Sequence, residues 1–141
     1  QWVPELIRSL VGQGAELIFC PTLTNTIDRD VELSIARANA AIHQCYFLSI
    51  NVAGKLGLGR SVVIGPEGDV IHQAGSGHEV ITIDADLGRV RRVRERGTQG
   101  LVQSLKSFRD APAVFPAYTE NANAYSALSD LGELKMPERG T

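Results

Sequence analysis

The chain has 141 residues, enough for one ordinary domain with a core of its own. Its composition, 43% hydrophobic and 21% charged with a net charge of -2, excludes a disordered polypeptide and offers no general attraction to nucleic acid or anionic membranes. No apolar run approaches the length of a membrane span, and Cys20 and Cys45 alone make no disulfide framework, so the expected setting is the reducing cytoplasm.

Val3, Leu6, Ile7, Leu10 and Val11 recur at helical spacing, which predicts a first helix with one apolar stripe. Pro4 suits its first turn, where a missing N–H costs nothing, and Gly12 and Gly14 suit its end. "AELIFCP" follows as a buried strand stopped at Pro21. "TLTNTIDRD" is a loop of turn and capping residues, with Asp28 or Asp30 placed to cap the next helix, "VELSIARANAAIHQ". There Val31, Ile35, Ala38 and Ile42 share a face, and Ala36, Ala38, Ala40 and Ala41 let another backbone approach closely. "CYFLSIN" is apolar at nearly every position, as expected of a strand covered on both faces.

"VAGKLGLG" is a glycine-rich connection. "RSVVIG" and "VIHQA", joined by the turn "PEGD" with Gly68 at positive φ, form a hairpin. "HEVITIDAD" reads as a further strand, and "LGRVRRVRERG" as a short arginine-rich helix ending at Gly97. From Thr98 the periodicity fades, and residues 111–141 read as an extended tail behind a domain of residues 1–110. The order mixes a βαβ unit with antiparallel hairpin strands, so a layered α/β architecture follows.

Candidate chemistry is sparse. Cys20 ends a strand before a loop, where a nucleophile can sit, but no His or acid is spaced to pair with it. Packing as a small apolar residue is the better reading, more strongly still for Cys45. His43, His72 and His78 match no zinc spacing, so no metal site is expected. His43 sits at a helix C-terminus, which suits a cation, and the other two flank exposed hairpin positions. "GKLGLGRS" leads into a strand, so it lacks the helix N-terminus of a phosphate loop. Arg89, Arg91, Arg92, Arg94 and Arg96 surround Val90 and Val93, with Asp84, Asp86 and Glu95 near enough to pair, as on a solvated helix face.

"TLTNT" carries more weight. Small polar residues there follow the carboxyl end of a strand, where open α/β sheets build ligand sites; an ordinary capping loop is the equal alternative. Asn51, ending the next strand, can orient a loop or line a pocket, and if buried needs partners for its amide. No catalytic constellation assembles from these residues alone.

The succession of segments resembles the nitrilase, or carbon–nitrogen hydrolase, superfamily. "WVPELIRSLVGQGAELIFCPT" is similar to that family's helix and strand after the nucleophile, and "IARANAAIHQCYFLSINVAG" to its next helix and strand. "GRSVVIGPEGDVIHQAGSGHEVITIDADLGRVRRVRERG" is similar to its hairpin, turn and final helix, so the likeness covers about residues 1 to 110. One departure is Gly65, where the family usually has Asp, which implies a looser hairpin turn. The resemblance implies half of an αββα four-layer sandwich, a mixed sheet with two long helices on one face. It implies the C-terminal part of a thiol amidohydrolase that cleaves a small linear amide, or a nitrile or carbamoyl C–N bond, through a cysteine thioester with no cofactor.

The family's Glu, Lys, Glu and Cys would all lie upstream of Gln1, so no catalytic residue is assigned within the chain, and the chain alone is expected to be inactive. By position, Thr22, Leu23, Thr24 and Asn25 would line the substrate pocket, with Asn51 close behind. The expected partners are the small amide substrate, the N-terminal half of the same enzyme, and a second copy packed through the Pro4-Glu5-Leu6 helix and the Ala-rich helix, with neither nucleic acid nor membrane. Two alternatives compete: a truncated, non-catalytic dimerisation partner with the same half-fold, and a stand-alone hydrolase built on Cys20.

Overall fold

The computed structural model describes residues 1–115 and 125–135, and the chain divides into two units, Gln1–Arg109 and Asp110–Thr141. In the first unit, helix α1 (Pro4–Gly12) starts with Pro4 in its first turn and buries Ile7 and Val11. The predicted stripe is wider than the contact it makes: Leu6 is 62% exposed, and Val3 and Leu10 also face outward.

Strand β1 (Leu17–Thr22) pairs in parallel with β2 (Tyr46–Asn51). β2 pairs antiparallel with β3 (Val62–Ile64), and β3 with β4 (Val70–Gln73), giving a mixed sheet of order β1-β2-β3-β4. Pro21 does not stop β1, which runs on to Thr22. An edge strand has one free ladder side, and a missing N–H is tolerated there. Nor is β1 buried: Leu17, Phe19 and Pro21 alternate outward from buried Ile18. The central β2 is better covered, with Tyr46, Phe47, Ser49 and Asn51 buried and Leu48 and Ile50 half-buried.

Helix α2 (Asp28–His43) makes the crossover. It begins at Asp28, so Asp28 and Asp30 lie in its first turn rather than capping it, where their charge suits the helix dipole. Its buried face is Arg29, Glu32, Ala36, Asn39, Ala40 and His43. Val31, Ala38 and Ile42, of the face read as apolar, are exposed, and Ile35 is half-buried. The close approach does occur: the β3–β4 turn passes so near α2 that a Cβ on Gly68 would lie 3.1 Å from that of Ala41. Ala36 and Ala40 join Ile7, Val11, Ile18, Phe47, Val62 and Ile64 in one core, so α1 and α2 pack together on one side of the sheet.

Gly68 takes φ 82°, as expected, and the hairpin turn is closed rather than loose. Gly65 N–H donates to Asp69 O at 2.8 Å, and Gly68 N–H to Gly65 O at 3.0 Å. A Cβ on Gly65 would fall 2.5 Å from Asp69 Oδ1, so the room a side chain would take there is filled by the Asp69 carboxylate. Helix α3 (Leu87–Arg96) lies against this turn, with Arg89 on Asp69 at 2.7 Å and Glu67 at 2.8 Å. Val90 and Val93 are its buried stripe. Arg91 meets Glu16 and Arg92 meets Asp86, while Arg94 donates to the carbonyls of Ala15 and Gln44.

The strand expected over "HEVITIDAD" does not form among the described residues. The segment keeps its period of two, with Ile81, Ile83 and Ala85 half-buried between exposed Thr82, Asp84 and Asp86. No neighbouring strand offers it a ladder, because the described sheet ends at β4. Helix α4 (Ser104–Arg109), unforeseen in the sequence, closes the first unit. The second unit contains the short helix α5 (Ser126–Ser129); the tail expectation for residues 116–124 and 136–141 lies outside the described residues. No described helix is long and apolar enough to cross a membrane.

Candidate functional site

The parallel pair β1 and β2 ends at Thr22 and Asn51, which face each other in register. Asn51 is buried, and its side-chain amide is fully engaged. Its Oδ1 accepts from Thr24 N–H at 2.8 Å and from Thr22 Oγ1 at 3.3 Å. Its Nδ2 donates to Thr24 O at 2.9 Å and to Gly59 O at 3.0 Å. The demand for amide partners, legible in the sequence, is met by two loops at once.

Of the loop residues expected at the pocket, Thr22 and Thr24 are half-buried against Asn51, and Leu23 and Asn25 are exposed. A cavity of about 300 Å³ lies at the same end of the sheet. Phe19 and Ile50 contribute apolar walls, and Asn51, Ser61, His78 and Glu79 contribute polar groups. Asn51 alone of the five expected residues borders it. Glu79 also meets His72, Oε1 to Nε2 at 2.6 Å. His78 and Glu79 were not singled out together, because the cavity joins residues 50–61 to residues 74–81 and no local pattern announces that meeting.

Arg29 was missed altogether. It is 0% exposed, with Nη1 donating to Ser49 Oγ at 2.9 Å and to Glu32 at 3.0 Å, and Nη2 to the carbonyls of Ser49 and Arg60. Its only sequence signal is an oddity: a cation in the first turn of a helix, against the dipole.

The reactive groups elsewhere are quiet. Cys45 is buried, and burial pushes its thiol up to about 11. Cys20 packs half-buried against the core, with the Gln1 backbone nitrogen 4.0 Å from its sulfur. The environment of His43 works against the cation expected at the helix end. Burial, opposed by its bond to Asn39 O and aided by nearby Arg8, lowers its pKa. Glu67 is held low foremost by its bond to Arg89; burial pushes Asp69 up, but Arg89 outweighs it. Among the described residues, no group of His, Cys, Asp and Glu is arranged to hold a metal ion, and no hydrogen bond joins a thiol to a histidine or carboxylate. The arrangement can shape and hold a pocket wall.

Comparison with known proteins gives this wall a context. The model of the carbon-nitrogen hydrolase family matches residues 1–95. A nitrilase-superfamily protein of Saccharomyces cerevisiae is similar at 26% identity and a TM-score of 0.62, over 67% of this chain and 37% of that one. A carbon-nitrogen hydrolase from Helicobacter pylori shares the fold at 21% identity and a TM-score of 0.65, over 84% and 45%. A mutant amidase from Nesterenkonia sp. AN1, bearing the acetamide moiety of fluoroacetamide on its active-site cysteine, matches at 26% identity and a TM-score of 0.50, over 53% and 30%. The chain thus spans less than half the length of each of these structures. No curated protein matches the sequence.

Proposed function

The chain belongs to the carbon-nitrogen hydrolase family, and on that premise we propose that it is the C-terminal part of an enzyme that cleaves the C–N bond of a small linear amide through a cysteine thioester. The family match over residues 1–95 carries this reading. The reacting sulfur, with the two Glu and the Lys that serve it, belongs to polypeptide that precedes Gln1. In that enzyme one Glu takes the thiol proton as sulfur attacks the amide carbon, and the Lys stabilises the tetrahedral oxyanion. The nitrogen leaves as ammonia or amine, and water releases the acid from the thioester.

This chain contributes the scaffold and one wall. Loop residues 22–25 do not border the cavity themselves; anchored on Asn51, they back the wall that Asn51, Gly59 and Ser61 present to the non-reacting part of the substrate. Their compact, polar character favours a small amide over an aromatic nitrile. The open face of the sheet, with Phe19 61% exposed, is where the preceding half packs, and the outward apolar residues of α1 and α2 receive a second copy.

The test is to express the full polypeptide that carries this chain and measure ammonia release from acetamide, propionamide and acetonitrile. Fluoroacetamide labelling, located by peptide mass spectrometry, identifies the sulfur. Amide turnover with the label on a cysteine before Gln1 is the expected result. A label on Cys20 with turnover favours the stand-alone hydrolase, and turnover of no amide or nitrile favours the non-catalytic partner.

A further inference from the structure

Three loops meet at the carboxyl end of the parallel pair, and their backbones are stitched together. Val52 N–H donates to Thr22 O and Leu58 N–H to Thr24 O, joining residues 52–60 to the loop after β1. Arg60 N–H donates to Gly75 O at 2.8 Å, joining them to the end of β4. At the centre of this junction two consecutive residues are left-handed, Gly59 at φ 64° and Arg60 at φ 58°. Gly59 is required there, since a Cβ would lie 2.8 Å from Gly75 O. Arg60 has no such freedom, and a left-handed arginine persists only where its surroundings over-determine it.

The surroundings do so through two buried side chains. Asn51 Nδ2 holds the Gly59 carbonyl at 3.0 Å, and Arg29 Nη2 holds the Arg60 carbonyl at 2.8 Å. The Arg60 guanidinium is held in turn by Asp30 at 2.6 Å. Asn51 is 5% exposed and Arg29 0%, and each is braced by further bonds: Asn51 by Thr24, Arg29 by Ser49 and Glu32.

We infer that Asn51 and Arg29 are a pair of positioning residues that hold the strained Gly59–Arg60 step and, through it and Thr24, pre-form the wall against which the amide binds. Asn51 borders the cavity but has no hydrogen bond left for a substrate, because both its amide hydrogens and its oxygen are already taken. The inference rests on the amide-hydrolase reading above and deepens it. A wall facing the non-reacting part of a substrate governs binding more than turnover, so its loss raises KM and spares kcat.

The experiment uses the full polypeptide with Asn51→Asp and Arg29→Lys, assayed on propionamide and normalised to titrated active sites. Asn51→Asp keeps the acceptor for Thr24 N–H but sets an oxygen against the carbonyls of Thr24 and Gly59. Both variants are expected to raise KM by roughly tenfold with kcat per site changed by less than about threefold. The Asn51→Asp defect shrinks as the pH is lowered, when the protonated acid can again donate to one carbonyl. Amide exchange supplies a readout independent of catalysis: the Thr24 and Leu58 N–H groups exchange at least about tenfold faster in Asn51→Asp. An unchanged KM with fewer active sites overturns the inference, as does unchanged exchange. If the wild-type polypeptide turns over no amide, the hydrolase reading fails and exchange alone decides the clamp. If Arg29→Lys does not fold, Asn51→Asp across the pH range carries the test.

Discussion

Burial separates the two thiols of this chain. Cys45 lies at 0% exposure in the core, and with its thiol pushed up to about 11 almost none of it ionises near neutral pH. Cys20 is half-buried at the end of the parallel pair. Iodoacetamide at neutral pH is therefore expected to modify Cys20 first and to reach Cys45 only after denaturation; equal labelling rates, read by mass spectrometry, would refute this. His43 gives a second residue-scale prediction. Its folded pKa is lowered by burial, so on acidification the unfolded chain takes up the proton first. The contribution of neutral His43 is fully present above the ordinary value of about 6.5 and is lost as the pH falls from there through the folded pKa. Urea midpoints of the full polypeptide should fall across that window, and His43→Gln should flatten the fall.

At the scale of elements, the β3–β4 turn is tied to α3 by one arginine with two carboxylates. A Cβ on Gly65 would displace the Asp69 carboxylate from Arg89, and because that ion pair is partly exposed, Gly65→Ala is expected to cost only about 1 kcal/mol. Asp69→Ala should cost a similar amount, and the double variant less than the sum, since the new methyl then meets no carboxylate. Additive urea midpoints would show that the two positions do not share this space. The elements themselves were largely legible. Periodicity announced α1, β1, α2, β2, the hairpin and α3, because each buries apolar residues at its own repeat. The orientation of α2 was not. Apolar Val31, Ala38 and Ile42 point outward, and Arg29, Glu32, Asn39 and His43 point inward, where hydrogen bonds and an ion pair offset their burial. A pattern of hydrophobicity alone does not say which of those two faces the sheet covers. The site was legible where one residue states its own need, as the Asn51 amide does, and illegible where distant segments meet, as at Gly59, Arg60 and Gly75.

For the molecule as a whole, the outward apolar faces acquire a meaning. One side of the sheet carries the core with α1 and α2, while the other leaves Leu17 and Phe19 exposed beside half-buried Leu48 and Ile50. Beyond the helices, Leu6, Leu10, Val31 and Ile42 are exposed as well. Apolar surface on both sides of a four-stranded sheet exceeds what a small monomer keeps in water, and each buried side chain of this size is worth about 2 kcal/mol. The chain by itself is therefore expected to self-associate or to remain loosely packed, with a broad thermal transition and dye-binding apolar surface. On the proposed reading, the full polypeptide should melt sharply and sediment as a dimer or larger, with a preceding half over its sheet and a second copy over its outer helix faces. Analytical ultracentrifugation with calorimetry decides between these states. A dispersed monomer of residues 1–141 with one cooperative transition would mean that the exposed faces need no partner, and the packing argument for the proposed preceding half would fall with it.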